Sequence, residues 1–593
     1  MPSYTAPTRD TRFIVNEVLD LASYGNLPGF ESATPDMIDA VIGEAGRFCG
    51  EVLAPINQAG DQHGCVRHDD GSVSTPPGFK EAFEQFRDAG WSTLSAPEEY
   101  GGQAMPHVLG FMLEEFISSA NQAFGMYPGL TNGAVSALIA KGSDEQKAKY
   151  LPKMIANQWL GTMNLTEPHC GTDLGMIRTK AEPNGDGSYA ITGTKIFISA
   201  GEHDLTENII HLVLAKTPGA PDSTKGISLF VVPKVLVNDD GSLGARNGVT
   251  CGSIEHKMGI HGNSTCLLNY DGATGWMVGE ENKGLAAMFI MMNAARLGVG
   301  IQGLAQAEVA YQNAVAYAKD RRQGRALTGP AEPQAQADPI IVHADVRRML
   351  MDAKAFTEGM RALCLWGALL VDLAHKAQTE EERTQADLLI GLMTPVIKGY
   401  GTDKGFDTAV NMQQVFGGHG YVAEWGMEQI VRDARVAMLY EGANGVQALD
   451  LVGRKLMRDD GVTAERFFAL VEGECETAPS ELHDIAAPLR EAMHEAREAA
   501  IWLVSAGKGD SNTLGAGSYA FLQLVGLLSL GWMWLRLARA ALPQAGDPFC
   551  DAKLVTARHF AARSLPEAAG LRRKVEAGGD TLMALPPDAF LRG

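Results

Sequence analysis

Along the first 160 residues, apolar positions recur every three or four residues. FIVNEVLDLA, MIDAVIGEAGRFCGEVLAPIN and FKEAFEQFRDAG each place their apolar side chains on one helical face. GSDEQKAKYLPKMIANQ predicts another helix, with Ser143 as its N-cap and acidic residues in the first turn. Between these segments runs DQHGCVRHDDGSVSTPPGF, a polar Gly/Pro-rich loop expected to hold a short hairpin.

The pattern changes near Gly161. SYAITGTKIFISAG, NIIHLVLAKT, KGISLFVVPKVLV and STCLLNYDGATGWMVG are short, alternating or β-branched, and separated by turn residues. They predict a β-domain, a small barrel or sandwich. Long helical periodicity returns in GLAAMFIMMNAARLGVGIQGLAQAEVAYQNAVAYAKDRR, followed by helices around 341–378 and 381–416 and a break at GGHG. Without a heptad seam, such helices suggest an antiparallel bundle. A further helical region follows the RDDG linker. The expected domains are 1–160 (α), 161–282 (β), 283–458 (α-bundle) and 459–593 (additional helices). Helices and strands are segregated rather than alternating, so the fold class is α+β and not doubly wound α/β. GGHGYV follows a helix and lacks the GxGxxG spacing, so it is not a dinucleotide loop of the Rossmann type.

YAFLQLVGLLSLGWMWL, residues 519–535, is long enough to test as a membrane span. Gln523, Gly526, Ser529 and Gly531 interrupt it, and the expectation is a buried helix of an all-helical region, with no membrane span. The net charge of −21 argues against a nucleic-acid partner but leaves small anionic ligands open. Eight scattered cysteines without a CxxC pair fit free thiols in a reducing compartment. MPSYTAPTRDTRF has no apolar secretory core, so a cytoplasmic location is expected.

Three segments carry candidate chemistry. MNLTEPHCGTD (163–173) is an irregular loop of small and hydroxylated residues suited to cradling an anionic or carbonyl-bearing ligand, or simply a turn between domains. In GTKIFISAGEHD, Phe197 and Ser199 stand two apart on one strand face, where an aromatic and a hydroxyl suit a planar heterocycle; an aromatic at alternating spacing is more often core. In QQVFGGHGYVAEWGMEQIVRDARVAMLYEGANGVQ a helix is expected to end at Tyr440–Gly442, placing Glu441 where the last carbonyls make a carboxylate unfavourable. That suggests a functional reason for Glu441, against the plainer reading of a solvated charge. His63, Cys65 and His68 lack a fourth ligand, His169 and Cys170 are adjacent in a loop, and neither set supports a metal or thiol–imidazole site. His261 fits a pocket or a loop-holding role equally.

Taken in order, LTEP…GTD, KIFIS, Glu255-His256-Lys257-Met258-Gly259, QQVFGGHGY, RDAR and YEG resemble the acyl-CoA dehydrogenase family of flavoproteins, from the N-terminal helices to about residue 456. The resemblance implies an N-terminal α-domain, a middle β-domain, a four-helix bundle and FAD as cofactor. It assigns FAD contacts to Met163, Leu165, Thr166, Gly171, Thr172, Phe197, Ser199, Arg321, Gln414, Gly417, Gly418 and Asn444. Of these, Arg321, Gln414, Gly417 and Gly418 would reach the FAD of a neighbouring subunit. It assigns acyl-CoA contacts to Thr172, Asn293, Arg296 and Gly442. It makes Glu441 the base that takes the α-proton while hydride passes from Cβ to flavin N5. Ala294 and Ala295 leave no carboxylate at the position some family members use instead. Gly324 stands where an aromatic is common, and Ala443 where threonine is common.

The long chain and its added C-terminal region resemble a bacterial branch that includes enzymes converting 3-methylmercaptopropionyl-CoA to 3-methylthioacryloyl-CoA in dimethylsulfoniopropionate demethylation. The implied partners are an electron-transferring flavoprotein and a second copy, as a homodimer or dimer of dimers. Dehydrogenation of another short- or medium-chain acyl-CoA, an oxidase using O₂, and a non-catalytic assembly protein are the alternatives. The added region is expected to pack near the bundle and cover part of the substrate or FAD approach.

Overall fold

A computed structural model describes residues 2–591, which divide into two compact units. One comprises 47–105 and 116–298, the other 2–46, 106–115 and 299–591.

The first unit is built round a barrel. The polar loop after the helix Ala54–His63 forms the expected hairpin, β1 (Val66–Arg67) against β2 (Val73–Ser74). The barrel strands are β3 (Trp159–Asn164), β4 (Lys180–Pro183), β5 (Tyr189–Ser199), β6 (Asn208–Lys216) and β7 (Ile227–Pro233), followed by the hairpin β8 (Val235–Val237) and β9 (Leu243–Arg246), then β10 (Val249–Ile254) and β11 (Thr265–Val278). Pairing runs β11–β5–β4–β6–β7 and returns from β7 to β11, closing a ring; β3 adds in parallel to β6, and β10 antiparallel to β11. Of the two expected β architectures, this is the barrel. Strand β6 is buried on both faces, which explains why NIIHLVLAK reads as almost unbroken apolar sequence. Ile210, Leu212 and Leu214 pack in one core with Tyr150, Leu151 and Met154 of the helix Asp144–Ile155; Val213 and Ala215 face a second core with Phe230 and Tyr270. Ser143 caps that helix as expected, in a capping box with Gln146.

The second unit is helical. Ala344–Lys376 and Glu380–Val415 form a hairpin of long helices, the latter opened by a Thr379–Glu382 capping box. The helix Gly284–Asp320 contributes its Val299–Asp320 half here and crosses Glu380–Val415 closely: a Cβ on Gly303 would lie 2.5 Å from the Gly401 carbonyl. The C-terminal helices Val462–Glu476, His483–Gly507, Pro548–Arg563 and Glu567–Glu576 surround Ser511–Ala541. Asp510 caps this last helix through the Asn512 and Thr513 N–H groups, and the most apolar part of Ser511–Gln544 is 83% buried. The apolar run is thus a core helix. Leu522 fills the space over Gly399, and Gly526 lies against the Tyr400 ring. Arg361 is fully buried among Asp10, Glu115 and Glu308, and Lys553 from the C-terminal region joins Asp10 and Glu358.

Candidate active site

In the barrel unit the LTEP loop is locked to β5 by a buried ion pair. Lys195 Nζ donates to Glu167 Oε1 at 2.9 Å and to the Leu165 carbonyl at 3.0 Å. Glu167 also accepts from Arg178 N (2.7 Å), Thr179 N (3.0 Å) and Thr179 Oγ1 (2.6 Å). Burial pushes the Glu167 carboxyl up, but the Lys195 ammonium and these donors outweigh it and hold it below the usual range. The Ile196 N–H donates to the Thr166 carbonyl, so loop and strand run together.

Beside this contact β5 is irregular. Its register against β11 slips between Cys266 and Leu268, and Phe197 takes φ +58°. A left-handed conformation is costly for a phenylalanine and lifts it out of the strand's alternation. Phe197 is 60% exposed, while Ser199 is half-buried. The simple same-face expectation therefore gives way to a bulge that presents the aromatic ring. Thr166 and Met163 are half-buried, Leu165 is buried, and Gly171 and Thr172 are exposed. Glu167, His169 and Cys170 bring possible metal-ligand atoms within 4.8 Å of one another, but both Glu167 oxygens already accept from protein donors. His261 holds a loop, its ring nitrogens meeting the Asp61 and Lys257 carbonyls at 3.0 and 2.7 Å. Arg296 is buried with Nη1 donating to Asn293 Oδ1 at 3.3 Å, and Asn293 itself is exposed.

In the helical unit Glu441 does not end a helix. Met427–Arg435 continues as a 3₁₀ turn to Met438, and the next helix starts at Asn444. Glu441 lies in the connection, half-buried, with φ +56°. The expected penalty from helix-end carbonyls gives way to backbone strain, which persists only where the surroundings hold it. They do so through buried polar groups. Lys398 Nζ donates to the Gly442 carbonyl (2.8 Å) and to Asn444 Oδ1 (2.7 Å). Asn444 Nδ2 donates to Asp403 Oδ1 (2.6 Å) and Thr402 Oγ1 (2.9 Å). Gln447 Nε2 reaches the Glu441 carbonyl at 3.2 Å, and the Tyr440 hydroxyl donates to Gln302. The structure thus places Asn444 beneath the Glu441 loop, its amide taken up by the helix Glu380–Val415.

Arg321, Gln414, Gly417 and Gly418 are exposed, and Gly417 has φ +58°. Gly324 also has positive φ (+70°), where an aromatic would be strained. The loop after it is organised by buried Asp338, which accepts from Arg325 and from the Ala326, Ala331 and Glu332 N–H groups. Sequence reasoning missed Glu167, Lys195, Lys398 and Asp403. The available signal was a lysine inside each of two otherwise apolar stretches, KIFIS and PVIKGY.

Residues 38–158, 162–273 and 282–457 match the models for the N-terminal, middle and C-terminal domains of acyl-CoA dehydrogenases, and 467–586 the acetyl-CoA dehydrogenase C-terminal-like model. The 3-methylmercaptopropionyl-CoA dehydrogenase of Ruegeria pomeroyi is 45% identical over 98% of this chain and 99% of its own. The chain belongs to the acyl-CoA dehydrogenase family. The broad-specificity linear acyl-CoA dehydrogenase FadE5 of Mycobacterium tuberculosis is 35% identical to this dehydrogenase over the full length of both. The fold is that of the Bacillus anthracis acyl-CoA dehydrogenase complexed with FAD: TM-score 0.74, 21% identity, covering 91% of this dehydrogenase and 88% of that chain. The dehydrogenase is accordingly an FAD-dependent oxidoreductase. Its barrel unit fits a planar cofactor: a strained, exposed Phe197 ring stands beside a loop of small residues held rigid from behind.

Proposed function

We propose that this dehydrogenase oxidises 3-methylmercaptopropionyl-CoA to 3-methylthioacryloyl-CoA, with Glu441 as the base. The observation that carries the mechanism is the strained Glu441 backbone, held at φ +56° by the Lys398–Asn444 pair. The substrate reading rests on 45% identity along nearly the whole of the Ruegeria pomeroyi enzyme. Glu441 takes the proton from Cα, the Cβ hydride leaves, and a Cα=Cβ double bond forms. Bound FAD supplies the hydride acceptor. The negative charge developing on the thioester oxygen needs fixed donors, and the Glu441 backbone N–H provides one. Phe197, Thr166 and Gly171 hold the cofactor; Thr172, Asn293, Arg296 and Gly442 serve the thioester and its CoA arm. Asn444 works by holding the loop rather than by touching FAD.

The reduced enzyme passes its electrons to an electron-transferring flavoprotein in the cytoplasm. The enzyme works as a homodimer in which exposed Arg321, Gln414, Gly417 and Gly418 serve the neighbouring copy's FAD. The likeness to FadE5 favours a second reading, oxidation of linear acyl-CoAs. Anaerobic titration with 3-methylmercaptopropionyl-, butyryl- and octanoyl-CoA separates the two by the rate of flavin bleaching. An inert sulfur substrate overturns the first reading and leaves the second. Glu441→Gln is expected to retain acyl-CoA binding and lose flavin reduction by at least about a hundred-fold; bleaching at the native rate removes Glu441 from the mechanism.

A further inference from the structure

The added C-terminal region reaches the Glu441 loop through a continuous chain of hydrogen bonds inside the helical unit. Tyr519 and Gln523 lie on the core helix Ser511–Ala541, one turn apart. The Tyr519 hydroxyl and Gln523 Nε2 both donate to Asp403 Oδ2, the latter at 2.7 Å. Asp403 is 6% exposed, and its other oxygen accepts from Asn444 Nδ2 at 2.6 Å. The Asn444 amide oxygen in turn accepts from Lys398, which also donates to the Gly442 carbonyl beside Glu441. Asn444 is thus an amide set between a buried carboxylate and a buried ammonium, which settles its orientation: oxygen to the cation, nitrogen to the anion.

Helix packing keeps the two ends of this chain at fixed spacing. Leu522 lies over Gly399 and Gly526 against Tyr400, so the C-terminal helix sits on Glu380–Val415 with no room for larger residues at the crossing. The carboxylate is directed along this axis from both sides. Without Tyr519 and Gln523, Asp403 Oδ2 loses both of its donors from the C-terminal helix, and the side chain is free to turn away from Asn444.

We propose that Tyr519 and Gln523 of the C-terminal region, acting through Asp403, Asn444 and Lys398, are positioning residues for the catalytic loop. The added region thereby acts on the chemical step rather than only covering the bundle. This rests on Glu441 being the base.

The test uses the full-length, FAD-loaded enzyme. Tyr519→Phe, Gln523→Leu and their combination are compared with Asn444→Ala and with Tyr519→Phe/Gln523→Leu/Asn444→Ala. The readouts are kcat, KM, FAD content and melting temperature. The double variant is expected to lower kcat about ten- to a hundred-fold, as small misplacements of a reacting group do, with KM and FAD content near native. In the Asn444→Ala background the same two substitutions are expected to change kcat less than two-fold, because the chain is already cut. Tyr519→Phe alone removes one hydroxyl and tests the point if the combination fails to fold. Native kcat in Tyr519→Phe and Gln523→Leu, or additive losses with Asn444→Ala, overturns the proposal. Loss of activity in Glu441→Gln with native kcat in Tyr519→Phe/Gln523→Leu sinks this inference alone; activity in Glu441→Gln sinks the reading beneath it.

Discussion

Replacing Lys195 by methionine removes one partner of a fully buried ion pair and leaves the other in place. Glu167 keeps its bonds from Arg178 N, Thr179 N and Thr179 Oγ1 but loses the buried Lys195 ammonium that pairs with its carboxylate inside the barrel wall. Breaking such a pair from one side costs about 3–5 kcal/mol, because a buried charge is left uncompensated. For a cooperative unit of roughly 150–250 residues that lowers the melting temperature by about 6–20 °C. The pH dependence gives a sharper signature. In the native protein the Glu167 carboxyl sits below its ordinary value of 4.5, so its contribution is present above pH 4.5 and lost as pH falls through the lower, folded value. Burial pulls the Lys195 ammonium below 10.5, and the attraction of Glu167 offsets only part of this; that cost is present at neutral pH and disappears above 10.5. In Lys195→Met the carboxyl is buried without its cation, so its pKa rises and protonation relieves the strain. The deficit against the native protein is therefore largest near pH 8 and smaller near pH 5. Thermal unfolding of the holoenzyme at both pH values, with the flavin-to-protein absorbance ratio, measures it; FAD content should fall because the LTEP loop loses its tether. A deficit equal at both pH values, or a melting temperature within about 2 °C of native with full FAD, refutes the reasoning.

Burial pushes the Glu114 carboxyl up to about 7, so the folded state binds its proton more tightly than the unfolded chain does, and the stability this provides below pH 4.5 is lost as pH rises through 7. Glu114→Gln should stabilise the protein by about 1–3 kcal/mol at pH 8 and change little at pH 4, as read from denaturant midpoints. Gly526→Ala puts a Cβ within 2.2 Å of the Tyr400 ring; a loss of about 1–3 kcal/mol in urea unfolding is expected, with kcat falling too if the C-terminal helix shifts from Asp403.

The elements that read most clearly in the sequence were those whose cause is local. Ser143 announces a cap because Gln146 is three residues away, and NIIHLVLAK announces a strand because it is short, β-branched and bounded by turn residues. Phe197 and Glu441 stood out in the sequence as candidates, but their geometry did not. A bulge at Phe197 depends on how β5 pairs with β11, more than sixty residues later in the chain, and no period along KIFIS encodes it. Glu441 looked like a charge at a helix end because the stretch before it is helical; what holds it in a left-handed turn is Lys398, on a different helix.

The groups that were missed share one property. Lys195, Glu167, Lys398 and Asp403 are charged residues in apolar surroundings, and such residues persist only when paired. A single sequence displays the charge but not the partner, because the partner is chosen by the fold: 28 residues away for Lys195 and Glu167, 41 for Asn444 and Asp403, and 116 for Tyr519 and Asp403. A lysine or aspartate inside an otherwise apolar run is therefore evidence of an anchored backbone somewhere nearby. Here the two lysine anchors lie behind the two candidate loops: Lys195 beneath LTEP and Lys398 beneath YEG. Each holds a main-chain carbonyl, of Leu165 and of Gly442, by donating from its buried ammonium. A neutral side chain of the same length would fill the space without holding the carbonyl, so the charge at these positions answers to the loop's geometry and not to packing.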